Sequence, residues 1–340
     1  MNVGLIGAGG IGQAHSNAYK QMPDARVAAV VDVRFEQAQQ LAKEHGARAY
    51  ASLEQMLQVE TLDMVDICTP TFNHAEIATR CAQHGWHVLC EKPIANTLEE
   101  ARAMIAAARQ NGVMLMVAQV IRFWREYAYL KQAYDEGRYG RLLQIWLSRL
   151  SGIPREHRKN WNVDPGRSRL APFELHIHDV DFLNFLLGKP DRLSSVAVNH
   201  PELYASYIHT RYFYETEALK GVLVEAEGGW WAGAMPFNCP YRAVFEKAVL
   251  AYDFTRGSVL LYEPESPEAR PVDLSWGVWL GEELHLENID GIYNEIAYFI
   301  SCVRKGIPPT VITPEQSYTS LGILLTEIES AQSGRELEVS

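Results

Sequence analysis

Cysteine is sparse in this chain. Five residues in 340 (Cys68, Cys81, Cys90, Cys239 and Cys302) are scattered, and no two form a Cys-x-x-Cys pair. An odd, dispersed set offers neither a disulfide framework nor a zinc-ligand spacing, so reduced thiols, a cytoplasmic location and no metal are expected. Basic charge is also short: 31 Lys and Arg against 42 Asp and Glu leave a net charge of −11. That charge repels phosphate backbones and anionic lipids, which excludes nucleic acid and membrane surfaces as expected partners. No apolar run reaches the roughly 20 residues that span a bilayer. No basic segment with a cleavage site precedes the first apolar run, so no signal peptide is read. Internal repeats and low-complexity tracts are missing as well.

What is present is the composition of an ordinary globular protein, 47% hydrophobic and 21% charged. A length of 340 residues predicts two domains. To about residue 120, short apolar runs alternate with amphipathic ones. Strands are read at 3–6, 26–31, 48–50, 64–68, 87–90 and 115–120, with helices at 11–22, 35–45, 73–84 and 98–111. Strands that are apolar throughout and joined by helices predict a parallel, doubly wound sheet, the α/β Rossmann architecture. Beyond residue 120 the pattern changes to half-buried strands, among them 141–150, 221–231 and 242–252, with helices at 172–187, 293–304 and 314–331. This predicts a C-terminal α+β domain over 121–340 with a large, mostly antiparallel, open-faced sheet.

The segment Gly7-Ala8-Gly9-Gly10-Ile11-Gly12 is a G-x-G-x-x-G fingerprint between a strand and a helix. Gly7 permits the tight turn, Gly9 lets backbone approach a pyrophosphate, and Gly12 lets helix and strand pack closely. The helix start, with Gly10 and Ile11, offers N–H groups and partial positive charge to phosphates. Asp32 closes the second strand, where an acid accepts hydrogen bonds from the adenosine ribose hydroxyls. The same charge repels a 2′-phosphate, so NAD is the expected cofactor. Arg34 keeps NADP open.

Four further segments resemble the glucose–fructose oxidoreductase/inositol dehydrogenase (Gfo/Idh/MocA) family, across nearly the whole chain. They are Glu91-Lys92-Pro93 after the fifth strand, Thr69-Pro70-Thr71-Phe72-Asn73-His74 after the fourth, Glu174 through Asp181, and the tail from Asn294-Glu295 to Pro314-Glu315. The resemblance places Thr69, Pro70, Asn73, His74 and Glu91 by the nicotinamide half of the cofactor. It implies catalytic roles for Lys92 and His178, assisted by the carboxylate at 174, and puts Trp161 near the nicotinamide. It also implies a homodimer or homotetramer built through the open sheet. Glu174 stands where Asp is more usual, and Arg167-Ser168-Arg169-Leu170 replaces a common Ser-Gly-Gly run, which leaves the substrate's identity open.

The residue types suit hydride transfer beside a hydroxyl. Oxidising a secondary alcohol requires a base for the hydroxyl proton, and histidine titrates near working pH. At helical spacing Glu174, His178 and Asp181 share a face, so that a carboxylate orients the imidazole while Lys92 donates to the alcohol oxygen. Lys92 also has a plainer reading as a surface lysine, but the carboxyl end of such a strand is where ligands bind. Lys92, Arg122, Glu174 and His178 are therefore the expected substrate contacts, with Gln119 and Phe123 facing cofactor or substrate. His176 is read either as a core histidine or as a substrate contact, and Asp179 as a solvated or capping side chain. A trans Lys92–Pro93 bond is the ordinary expectation, with cis left open. One of Trp230 and Trp231 should face the core and the other the opposite sheet face. The expected reaction is reversible oxidation of a sugar, inositol or related polyol. An NAD-dependent glycosidase and a non-catalytic sensor of dinucleotide or sugar are the alternatives.

Overall fold

The computed structural model describes residues 1–153, 171–200, 205–281, 284–288 and 290–340. Trp161 and the run Arg167 to Leu170 lie outside the described residues. The chain divides into two compact units, Met1–Phe123 with Asn288–Tyr318, and Trp124–Glu287 with Thr319–Ser340. Sequence drew a single boundary near residue 120. The first unit instead takes back a late segment, because helix Gly291–Lys305 packs against the first helix of the chain.

In the first unit, strands β1 (Asn2–Ile6), β2 (Arg26–Val31), β3 (Arg48–Tyr50), β4 (Met64–Ile67), β5 (His87–Glu91) and β6 (Leu115–Ala118) form one sheet in the order β3-β2-β1-β4-β5-β6. Every neighbouring pair in it is parallel. All four residues of β4 and of β6 are buried, as strands covered on both faces must be. Helices α1 (Gly10–Tyr19), α2 (Phe35–His45), α4 (His74–Gln83) and α5 (Leu98–Gln110) connect them, with α3 (Leu53–Val59) an additional short helix started by the Ser52 hydroxyl. Thr97 and Glu100 cap α5 reciprocally, the Thr-x-x-Glu pattern of a capping box. The strand order turns outward from β1 in one direction and from β4 in the other. Ligands of such sheets bind at the carboxyl ends of these two strands.

The second unit follows α6 (Arg125–Asp135) into β7 (Leu142–Ile153), and is built on a nine-stranded sheet. Its remaining long strands are β8 (Arg192–His200), β9 (Ala205–Phe213), β10 (Leu223–Ala232), β11 (Tyr241–Phe245), β12 (Val249–Asp253) and β13 (Ser258–Tyr262). Only the β7–β10 pairing in it is parallel among those described. Along β10, Val224, Ala226 and Trp230 are buried, and Trp230 packs with Ile153 and Ala171. Trp231 points the other way and stacks on Tyr207 with centroids 5.8 Å apart. A single π-type turn (Pro172–His176) runs into α7 (Ile177–Leu187), which ends at Gly188 with φ 84°. Gly228 lets this turn sit on the sheet, since a Cβ there would come within 2.7 Å of the His176 Cβ. The chain closes with α8 (Gly291–Lys305) and α9 (Pro314–Ser333). All five cysteines are free and buried. Among the described residues, no helix is long and apolar enough to cross a membrane.

Candidate active site

The glycine loop is built to the tolerance its sequence implies. Gly7 has φ 105°, a left-handed conformation that a side chain resists, and a Cβ there would fall 2.4 Å from the Cys68 carbonyl oxygen. A Cβ on Gly12 would stand 2.0 Å from the Gly7 oxygen, so only glycine lets α1 start so close to β1. Gly9 and Gly10 face open space, with nothing within 4 Å of an added Cβ. No side chain caps the N-terminus of α1. Its first N–H groups and the positive end of its dipole therefore remain for an anion, and bare glycine backbone lets a phosphate approach them. This cradle fits a dinucleotide pyrophosphate.

Asp32 sits at the lip of the cradle, 9% exposed. Its Oδ2 accepts from the Ala8 N–H at 2.8 Å and its Oδ1 from the Arg34 N–H at 2.8 Å. The carboxylate is thus fixed beside the loop, while the Arg34 side chain, 63% exposed, lies with Nε 3.6 Å from Oδ1. Val33, next in the chain, is 90% exposed. An open apolar side chain next to Asp32 carries no signal in sequence, because burial is not readable from one residue.

Around the ends of β4 and β5, His74 is wholly buried and spans two turns. Its Nδ1 lies 2.9 Å from the Pro93 oxygen and its Nε2 2.9 Å from the Thr69 oxygen. Burial lowers its pKa, so it is a neutral strut between the Thr69–Asn73 turn and the Lys92–Pro93 turn. The Lys92–Pro93 bond is cis rather than trans. Lys92 is half-buried, and Glu91 behind it is buried. Gln119, 2% exposed, ends β6 with an Oε1 that has no hydrogen-bond partner among the described residues.

Arg122 corrects an expectation. It was read as a substrate contact, yet it is fully buried, and its Nη1 donates to the Val311 oxygen and to Gln316 Oε1, both at 2.8 Å. Its guanidinium ties the segment after β6 to the first turn of α9 and the stretch before it, and leaves no accessible surface for a substrate. Phe123 is equally buried, against Tyr298.

In the second unit Glu174 lies in the π-type turn, while His178 and Asp181 both lie in the regular helix α7. Glu174 and His178 are half-buried, whereas Asp181 is 1% exposed and accepts from the Ser320 hydroxyl at 2.8 Å. Asp181 therefore anchors α7 to α9. The turn before α7 is wider than an α-helical one, with i→i+5 bonding, which a uniform 3.6-residue period does not anticipate; such turns occur often at functional sites. Asp179 is a second correction. Far from solvated, it is completely buried and receives Arg149 Nε at 3.0 Å and Nη2 at 3.1 Å. His176 resolves to the core: it is fully buried with Nε2 3.1 Å from Glu327 Oε2, an ion-pair distance off the line of a hydrogen bond. Burial works against its charge, but Glu327 prevails and raises its pKa. Tyr212 donates to the other oxygen of Glu327 at 2.6 Å. Arg149 and Glu327 were missed in the sequence, since nothing local marks a partner so far along the chain.

Glu174 and His178 are half-buried, while His176, Asp179 and Asp181 of the same stretch are buried, facing Glu327, Arg149 and Ser320 respectively.

Comparison with known proteins places these observations. A family model described as an oxidoreductase family with an NAD-binding Rossmann fold matches residues 1–119. The GFO/IDH/MocA C-terminal domain model matches residues 127–234. Levoglucosan dehydrogenase of Pseudarthrobacter phenanthrenivorans is 32% identical over 216 residues, 58% of this chain and 53% of its own length. The chain therefore spans about half the length of that relative. D-apiose dehydrogenase of Paraburkholderia graminis is 27% identical over 98% of this chain and 88% of its own length. Among solved structures, levoglucosan dehydrogenase in complex with NADH and levoglucosan superposes with a TM-score of 0.84 at 21% identity, covering 100% of this chain and 99% of that one. That likeness is one of fold.

Proposed function

Because the chain belongs to the Gfo/Idh/MocA oxidoreductase family, with its NAD-binding Rossmann domain, we propose that it is a dehydrogenase acting on CH–OH groups. It reversibly oxidises a secondary hydroxyl of a sugar, inositol or related polyol. The observation that carries this reading is the π-type turn. It carries the carboxylate of Glu174 and leads into the helix that carries His178; both residues are half-buried, whereas His176 and Asp179 beside them are fully buried. The names of the relatives above, two sugar dehydrogenases, support the substrate class.

In this reading His178 accepts the hydroxyl proton, and Glu174 steadies the imidazolium that results. Lys92 donates to the alcohol oxygen and favours the negative charge that develops there. NAD, when bound, supplies the hydride acceptor. Gly7, Gly9, Gly10, Ile11 and Gly12 hold its pyrophosphate, and Asp32 its adenosine ribose, which favours NAD over NADP. Copies of the chain associate through the open face of the second unit's sheet, where Val196 and Val198 are 65% and 50% exposed near the Tyr207–Trp231 stack.

A panel of sugars, inositols and their acids, screened for NAD reduction by the absorbance of NADH, tests the reading. With a substrate found, Lys92→Ala and His178→Ala should each lower kcat by about 10²–10⁴-fold while NAD still binds. Near wild-type turnover in either variant overturns the assignment. Glycoside cleavage with no net NADH would point to the glycosidase reading instead.

A further inference from the structure

Beneath the glycine loop, the first unit buries a cluster that the proposed reaction does not use. His15, one turn into α1 beyond Gly12, is completely buried between two carboxylates. Its Nδ1 lies 2.8 Å from Asp66 Oδ2 on β4, and its Nε2 lies 3.1 Å from Glu91 Oε1 at the end of β5. Carboxylates only accept, so both contacts are hydrogen bonds only if both ring nitrogens carry hydrogen. The alternative, a proton on one of the acids, is disfavoured by the donors they already have. Asp66 also receives the Tyr19 hydroxyl at 2.9 Å and the Cys68 thiol at 3.5 Å. Glu91 receives the Lys92 N–H on Oε2 at 3.0 Å.

Glu295, on α8, completes the cluster. It is 0% exposed, and neither of its oxygens has a hydrogen-bond partner among the described residues. A carboxylate oxygen of Glu295, one of Glu91 and a His15 ring nitrogen all lie within 4.8 Å of one another. An ionised Glu295 would put three buried carboxylates against one imidazolium, without a donor of its own. Burial first, and Glu91 second, push its carboxyl well above the usual range. For His15 burial opposes the charge, but Asp66 raises its pKa well above the ordinary value.

We propose that His15 is a positioning residue: as an imidazolium anchored on Asp66 it holds the Glu91 carboxylate, which receives the Lys92 N–H, while Glu295 stays protonated beside them. The connection Asp66–His15–Glu91–Lys92 runs from the middle of the sheet to the lysine at the substrate oxygen. The catalytic half of this inference rests on the role proposed above for Lys92. Protonation of Glu295 leaves the cluster with one net negative charge instead of two. It also leaves the His15 proton on Nε2, where a bound metal ion would need a lone pair.

Histidine-ring nitrogen NMR of the full chain, assigned with His15→Gln, tests the cluster without any substrate. Both His15 nitrogens should remain protonated as pH rises beyond the ordinary histidine range. They should remain so in Glu295→Gln, whose amide resembles the neutral acid. A neutral His15 ring at neutral pH, loss of its charge in Glu295→Gln, or one tightly bound divalent metal per chain overturns the proposal. With substrate in hand, His15→Gln should lower kcat about 10–100-fold, the cost of a small displacement at the reacting centre. The acid limb of its kcat profile should move to higher pH, because Glu91 has lost its cation, and NAD affinity should stay within about twofold. An unmoved pH profile overturns the positioning role. Should His15→Gln not fold, the wild-type ring spectrum and its change in Glu295→Gln decide the matter. Failure to find any oxidisable polyol counts against the dehydrogenase reading and leaves the NMR result standing.

Discussion

Arg149 on β7 and Asp179 on α7 meet as a two-pronged ion pair with N–O distances of 3.0 and 3.1 Å, and neither residue is more than 2% exposed. The pair pins the helix that carries His178 to the sheet beneath it. Removing one partner leaves a buried charge uncompensated. Arg149→Met should cost about 3–5 kcal/mol of unfolding free energy, and Arg149→Met with Asp179→Leu together much less. Denaturant titration of the wild type and these two variants checks this. Equal losses in the single and double variants would mean that the pair does not act as a unit.

His176 and Glu327 give a pH dependence. The folded protein holds the His176 proton more tightly than the unfolded chain does. The stabilisation is therefore present in full below about pH 6.5, the unfolded value, and is lost as pH rises through the raised native value. Unfolding midpoints of wild type and Glu327→Gln, compared from about pH 6 upward, should differ most at the acid end and converge as pH rises. A gap that widens with pH contradicts the pairing.

The glycine loop separates folding from cofactor binding. At Gly12 an added Cβ would meet the Gly7 oxygen at 2.0 Å, so Gly12→Ala should destabilise the protein by about 1–3 kcal/mol and weaken NAD. At Gly9 an added Cβ meets nothing within 4 Å. Gly9→Ala should leave the thermal midpoint nearly unchanged yet still reduce NAD affinity, because the methyl occupies the phosphate's approach. Thermal unfolding with and without NAD distinguishes the two.

Asp32 is the cofactor discriminator in this reading. Asp32→Ala should raise the NAD dissociation constant about 10–100-fold, the scale of lost hydrogen bonds to a charged group, and move the NADP-to-NAD preference upward through the freed Arg34. Fluorescence titration with both dinucleotides measures it. A wild-type preference for NADP would contradict the assignment outright.

The Rossmann sheet was legible in the sequence because its signals are local. Apolar strands such as Leu115–Ala118, the three glycines and Asp32 each announce themselves within a few residues, and β3 falls at 48–50 as read. The open-faced second sheet was legible from alternation, and the opposite orientations of Trp230 and Trp231 follow from the two-residue period of a strand. Helix positions in the C-terminal half were legible too, including both closing helices.

Tertiary structure alone decided which charges are buried and with whom. Arg122 looked available at the end of a strand but is consumed by Val311 and Gln316, nearly two hundred residues away. Asp179 looked solvated until β7 brought Arg149 to it, and Asp181 is buried against Ser320 of α9. The return of α8 to the first unit likewise brought Glu295 to His15 and Glu91. The sequence determined the local conformations and the glycine cradle, since backbone sterics and hydrophobic period act between near neighbours. Pairing among ionisable side chains depends on which elements pack together and how deeply they are buried, and only the folded chain fixes that.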